Sequence, residues 1–173
     1  MNSFFLLIPF ILVRYGLITV LSKDAMKRAA YFPPRLKTEK AAYWIYQLST
    51  AAILVYMLFL KIETAPIELF YAGLFVCAIG LVLCILTVID FSKPSQTGIN
   101  RNGLYRVSRN PMYIAFFVYF IGCVLLTQSL LLLGFVLIFQ ITEHWMILSE
   151  ERWCVQEFGE EYRQYMKKVR RYI

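Results

Sequence analysis

The stretch TGINRNGLYRVSRNPMY, running from Thr97 to Tyr113, decides how the chain is read. It is polar, basic and glycine-bearing, and it separates two long apolar blocks. A second polar cluster, Glu150-Glu151 followed by Phe158-Gly159-Glu160-Glu161-Tyr162, closes the block that comes after it. The apolar runs on either side read as a scaffold that brings these two clusters to one membrane face.

Downstream of the stretch, residues 111–149 are almost entirely apolar. A single helix of that length would extend about 60 Å, twice the roughly 30 Å hydrocarbon core of a bilayer. The segment must therefore fold back, and Thr127-Gln128-Ser129 is the polar interruption near its middle. This predicts a helical hairpin with spans at 111–127 and 129–149. Upstream, the hydropathy pattern predicts spans at 3–21, 43–60 and 67–89. No Lys or Arg precedes the first and no small-residue cleavage site follows it, so it is expected to be a retained helix.

Composition agrees. Of the 173 residues, 60% are hydrophobic and 17% charged, and the mean hydropathy is +0.59. Soluble domains are about 45–50% apolar and about 25% charged. The fold class expected is therefore all-α integral membrane: five transmembrane helices forming one domain over 1–173, the last two a hairpin, with a cytoplasmic cofactor pocket and a C-terminal interfacial helix. In a soluble protein the net charge of +7 would suggest nucleic acid. Here the basic residues flank apolar spans, so membrane topology accounts for them. Cys77, Cys84, Cys123 and Cys154 have no paired spacing and no histidine partner, which indicates neither a metal site nor a disulfide framework.

All but Arg14 and Lys61 of the 18 Lys and Arg residues lie after span one, after span three or in the tail 150–173. With an odd number of spans these segments share one side, cytoplasmic by the positive-inside rule, and the N-terminus lies outside. Arg14 falls inside span one, where an arginine either faces a partner or cavity or snorkels to the interface. The tail alternates charge with Trp153, Phe158, Tyr162, Tyr165 and Tyr172. That pattern suggests an amphipathic helix lying on the interface, or one packed on the cytoplasmic loops.

The polar clusters suggest chemistry. Asn110-Pro111 is a helix-start signal, with Asn at the cap and Pro first in the helix. Free backbone donors, the helix dipole, Arg106 and Arg109 would together favour an anion, although basic residues at a cytoplasmic helix end are also expected from topology alone. Gly98 and Gly103 permit close approach or simply turn the chain. Tyr105 and Tyr113 offer flat faces. Glu143 and Glu150 share a helical face, and the Glu150-Glu151 pair would suit ribose hydroxyls, an ammonium group, or a neighbouring arginine. His144 has no second ligand beside it.

Taken in order, Gly103-Leu104-Tyr105-Arg106, Arg109-Asn110-Pro111-Met112-Tyr113, an apolar hairpin, Glu150-Glu151 and Phe158 to Tyr162 resemble the integral-membrane methyltransferases. That superfamily includes isoprenylcysteine carboxyl methyltransferases and phosphatidylethanolamine N-methyltransferases. The resemblance spans Thr97 to the C-terminus and implies S-adenosylmethionine (SAM) as methyl donor, S-adenosylhomocysteine as product, and a lipid or other lipophilic acceptor at the membrane. It implies a cofactor pocket formed by Thr97, Gly98, Ile99, Asn100, Gly103, Tyr105, Arg109, Asn110, Pro111, Met112 and Tyr113, closed by Glu150 and Glu151. Glu143, His144 and Arg106 are the candidates for catalytic assistance. The sequence departs from the family pattern in carrying Asn110 where a histidine is usual. It also carries Met146 where the carboxyl methyltransferases place an arginine, which argues against a prenylcysteine acceptor unless Arg14 or Arg152 takes that role. The alternatives are a nicotinamide-dependent membrane reductase relative and a non-catalytic membrane module.

Overall fold

The computed structural model describes residues 1–31, 33–34, 36–96 and 98–172, with the side chains of 37 and 38 excepted. Thr97, named above, lies outside the described residues, as does the basic residue Arg35. The helices are α1 (Phe4–Leu21), α2 (Lys23–Ala29), α3 (Lys37–Met57), α4 (Ile67–Phe91), α5 (Pro111–Thr127) and α6 (Leu130–Lys168), with a 3-10 turn at Gly103–Arg106. There is no β-strand among the described residues. A π-helical turn, Leu12–Leu17, interrupts α1 and carries Arg14.

Three helices are long and apolar enough to cross a membrane: α1, α4 and α6; α5 is apolar but shorter. The helix covering the predicted span 43–60 starts earlier, at Lys37, and ends at Met57. It is not among the three: its first turn carries Lys37, Glu39 and Lys40, and Gln47 lies in its middle. Its start is fixed by Glu39, whose Oε2 accepts from the Leu36 N–H at 2.8 Å. Apolar side chains such as Leu12, Trp44, Phe75 and Leu130 face outward, as a lipid-facing surface requires.

The hairpin forms where the polar interruption falls. Gln128 takes the left-handed conformation (φ 48°) after α5, and the Ser129 side chain caps α6 by accepting from the Leu132 N–H. Gln128 Nε2 donates to the Ala65 carbonyl at 2.8 Å, and Ser3 N–H to the Leu60 carbonyl at 3.0 Å. The N-terminus, the 58–66 loop and the hairpin turn therefore gather at one end of the bundle.

Helices α4 and α5 make the most extensive contact, through small residues. A Cβ on Gly80 would lie 2.5 Å from the Tyr119 backbone, and one on Gly122 would lie 2.5 Å from the Cys77 nitrogen. In lipid, where apolar burial between helices gains little, such close backbone approach is what holds helices together. Phe10 of α1 completes this core, stacked on Tyr119 at 5.2 Å and edge-on to Phe116 at 5.2 Å. The Tyr119 hydroxyl donates to the Leu6 carbonyl.

The tail is two helical segments, one running on from the last predicted span and one beginning after Gly159. They meet at a kink there (φ 56°, ψ −131°), and the tail's apolar face is covered by protein. Tyr162 and Tyr165 are buried with Ile99 in a small core of their own. The packed alternative for the tail is the one the fold adopts, because Tyr165 donates its hydroxyl to the Tyr105 carbonyl at 2.6 Å.

Candidate functional site

At the opposite end of the bundle, the 92–110 loop is tied down from both sides. Asp90 at the end of α4 accepts from the Leu104 N–H at 2.8 Å. Gly103 (φ 48°) lies so close that a Cβ there would be 2.0 Å from Asp90 Oδ2. Gly103 therefore serves the seam between loop and helix. The 3-10 turn that follows directs Tyr105 inward, where burial pushes its phenol well above its usual value and keeps it protonated.

The C-terminus forms the other tie. Arg109 N–H donates to the Arg170 carbonyl at 2.9 Å, and Asn110 Nδ2 to the Arg171 carbonyl at 3.1 Å. Asn110 thus occupies the cap position of α5, with Pro111 next, but its side chain does not cap the helix. Arg109 pairs with Glu151 at 2.9 Å, with side chains only 7% and 5% exposed. It also donates to the Met166 carbonyl at 3.1 Å. Arg171 clasps the other Glu151 oxygen at 3.0 and 2.8 Å, and that bond raises the guanidinium pKa. Of the two arginines expected at an anion site, Arg109 lines the cavity while sharing the Glu151 carboxylate with Arg171, and Arg106 is exposed.

Between these ties lies a cavity of about 460 Å³, within the roughly 300–1,000 Å³ range of small-molecule pockets. Of the residues singled out in the sequence, Gly98, Ile99, Asn100, Tyr105, Arg109, Asn110, Met112, Tyr113, Glu150 and Glu151 line it. Tyr113 donates its hydroxyl to Glu150 Oε1 at 2.6 Å across the wall, joining the two polar clusters. Gly103 and Pro111 do not line it, nor do Arg106, Glu143 and His144. Glu143 is fully buried and accepts from Gln140 at 2.8 Å. His144 Nδ1 meets the Tyr172 hydroxyl at 2.8 Å.

Sequence reasoning missed a third wall. Lys27, Arg28, Ala29, Tyr31 and Pro33 reach over the cavity from the α1–α3 connection. Ser22 starts α2 by accepting from the Ala25 N–H at 3.1 Å, and Arg28 donates to the Phe91 carbonyl at 2.9 Å. Tyr31 packs on Trp153 at 5.2 Å, and Arg152 grips Glu39 through both oxygens at 2.6 and 2.7 Å. The Ser22 cap before a short basic run was a legible signal for α2. Tyr46, in the middle of α3, gave none.

Membrane-length apolar helices thus surround a cavity lined by motif residues at one bundle end. The profile of the phospholipid methyltransferase family matches residues 69–161, more than half of the chain, and the chain belongs to that family. The match begins within α4, so it reaches further upstream than the resemblance starting at Thr97. No curated protein and no solved structure matches the chain.

Proposed function

We propose that this chain transfers the methyl group of S-adenosylmethionine to a lipophilic acceptor at the cytoplasmic face of a membrane. In this reading the helices make five spans over a single domain 1–173, with the N-terminus outside and the C-terminus inside. The observation that carries it is the meeting of both family motif segments at one cavity, where Tyr113 donates to Glu150 at 2.6 Å.

The residues present suit the cofactor. Asn100 lines the cavity, and its buried Oδ1 has no partner among the described residues, so it offers an acceptor to a ligand amine or hydroxyl. Glu150 has no ion pair among the described residues, unlike Glu151, and is the carboxylate available to an ammonium or ribose hydroxyl. Tyr105 and Phe158 give the cavity aromatic faces. When bound, the cofactor supplies a methyl group already activated on its sulfonium, so the protein's task is alignment and exclusion of water. Arg109, Glu151 and Arg171 hold the tail over the site, and Arg152 with Glu39 holds the α1–α3 connection. Neither Glu143 nor His144 nor Arg106 touches the cavity, and no proton transfer is assigned to them.

The test is methyl incorporation from radiolabelled SAM into aminophospholipid vesicles containing the reconstituted protein. Labelled lipid in the organic phase, absent with Glu150→Ala, supports the proposal. Absence of label with a panel of amine, carboxylate and thiol lipids contradicts it, and NADPH binding would then favour the reductase reading.

A further inference from the structure

Arg14 is the cavity cation the sequence motifs do not account for. It lies seven residues before Leu21, the end of α1, about 10 Å along the helix from that end. Arginines at such depth face a cavity or partner, and Arg14 lines the cavity together with Glu150. The other cavity cations are engaged: Arg28 by the Phe91 carbonyl at 2.9 Å, Arg109 by Glu151 at 2.9 Å, and Lys27 by exposed Asp24 at 3.4 Å. Arg14 meets only weak acceptors among the described residues. Its Nη1 contacts the Met112 sulfur at 2.9 Å, and its guanidinium lies over the Phe116 ring at 5.2 Å and that of Tyr15 at 5.9 Å. A thioether and two ring faces leave most of the guanidinium's N–H donors without a strong acceptor. The residue is also carried on the π-helical turn Leu12–Leu17, a distortion concentrated at functional sites.

We infer that Arg14 receives the oxyanion of the lipophilic acceptor, a phosphodiester or a carboxylate, and thereby sets the acceptor's class and position. A planar guanidinium fork matches either group in a bidentate manner. Glu150 on the same cavity accepts from Tyr113 and suits donor groups, so the oxyanion is left to Arg14. The inference rests on the methyl-transfer reading, which makes this cavity the meeting place of donor and acceptor.

The test uses the full chain in a neutral maltoside detergent, with dodecyl phosphate, dodecanoate and dodecyltrimethylammonium titrated by calorimetry. S-adenosylhomocysteine is titrated in parallel. The parent should bind at least one anion more tightly than the cation, and Arg14→Gln should weaken that anion about ten-fold or more. Arg14→Lys should retain part of the affinity, and S-adenosylhomocysteine should bind all three proteins alike. Preference for dodecyl phosphate points to a phosphate-bearing acceptor, and preference for dodecanoate to a carboxylate; both agree with the inference. Equal anion affinity in parent and Arg14→Gln overturns it. So does a matching loss of S-adenosylhomocysteine affinity, which would assign Arg14 to the cofactor instead. In the parent alone, the bound anion should shield Arg14 but not exposed Arg106 from phenylglyoxal, read by peptide mass spectrometry. Unchanged modification of Arg14 would also overturn the inference. Failure of S-adenosylhomocysteine to bind the parent, with anion selectivity intact, would count against the methyl-transfer reading and not against the Arg14 contact.

Discussion

Glu151→Gln removes the centre of the clasp that holds the tail on the site. The side chain keeps its volume but leaves Arg109, 7% exposed, as a buried cation whose remaining partner is the Met166 carbonyl at 3.1 Å. Breaking a buried pair from one side costs about 3–5 kcal/mol, because the surviving charge stays desolvated. Arg171 contributes less: its side chain is 31% exposed and can turn to water, so its share is about 0–1 kcal/mol. The expected loss is therefore about 3–5 kcal/mol, nearly all of it through Arg109. Replacing both buried charges, as in Arg109→Met with Glu151→Leu, should recover most of it, since an apolar pair of similar volume often matches a buried ion pair. The assay is reversible unfolding in mixed micelles titrated with dodecyl sulfate, run as a double-mutant cycle. A loss under about 1 kcal/mol for Glu151→Gln, or a double variant no more stable than the worse single one, would refute the reasoning.

Gly80→Leu should separate α4 from α5, because even a Cβ would meet the Tyr119 backbone at 2.5 Å. A loss of at least about 1–3 kcal/mol is expected in the same unfolding assay, whereas Gly134→Ala, with open space around it, should be nearly neutral. Arg152→Met breaks the grip on Glu39 at 2.6 and 2.7 Å. The Glu39 left behind is only 7% exposed and keeps the Leu36 N–H, so the expected loss is about 3 kcal/mol. Faster proteolysis within 22–36 should accompany it, and unchanged cleavage there would contradict the strap assigned to this pair.

The hairpin was legible because a run too long for one crossing carried a single polar break at Thr127 to Ser129. The motif residues from Gly98 to Tyr113 and the glutamate pair were legible as chemistry, and most of them do share the cavity. What each partners was not. Arg109 reads as a free cation in sequence, yet Glu151 and Arg171 are brought to it from 42 and 62 positions away, and only the folded tail decides that pairing. Gly103 likewise reads as ligand-facing until Asp90 is seen against it. In sequence the α1–α3 connection shows only basic residues and a Pro33-Pro34 break. Its cover over the site depends on Tyr31 with Trp153 and Glu39 with Arg152, contacts that no local pattern encodes. The tail's amphipathic pattern served packing on Ile99 equally well as packing on lipid, so periodicity alone could not choose.

The most direct test of the account is calorimetric titration of the detergent-solubilised protein with S-adenosylmethionine and S-adenosylhomocysteine, alongside Glu150→Ala and Glu160→Ala. Glu150 lines the cavity, whereas Glu160 is exposed on the tail. The account predicts saturable binding to the parent and to Glu160→Ala, and loss of binding in Glu150→Ala. Equal affinities in both variants, or no binding by the folded parent in detergent and again in lipid, would contradict it.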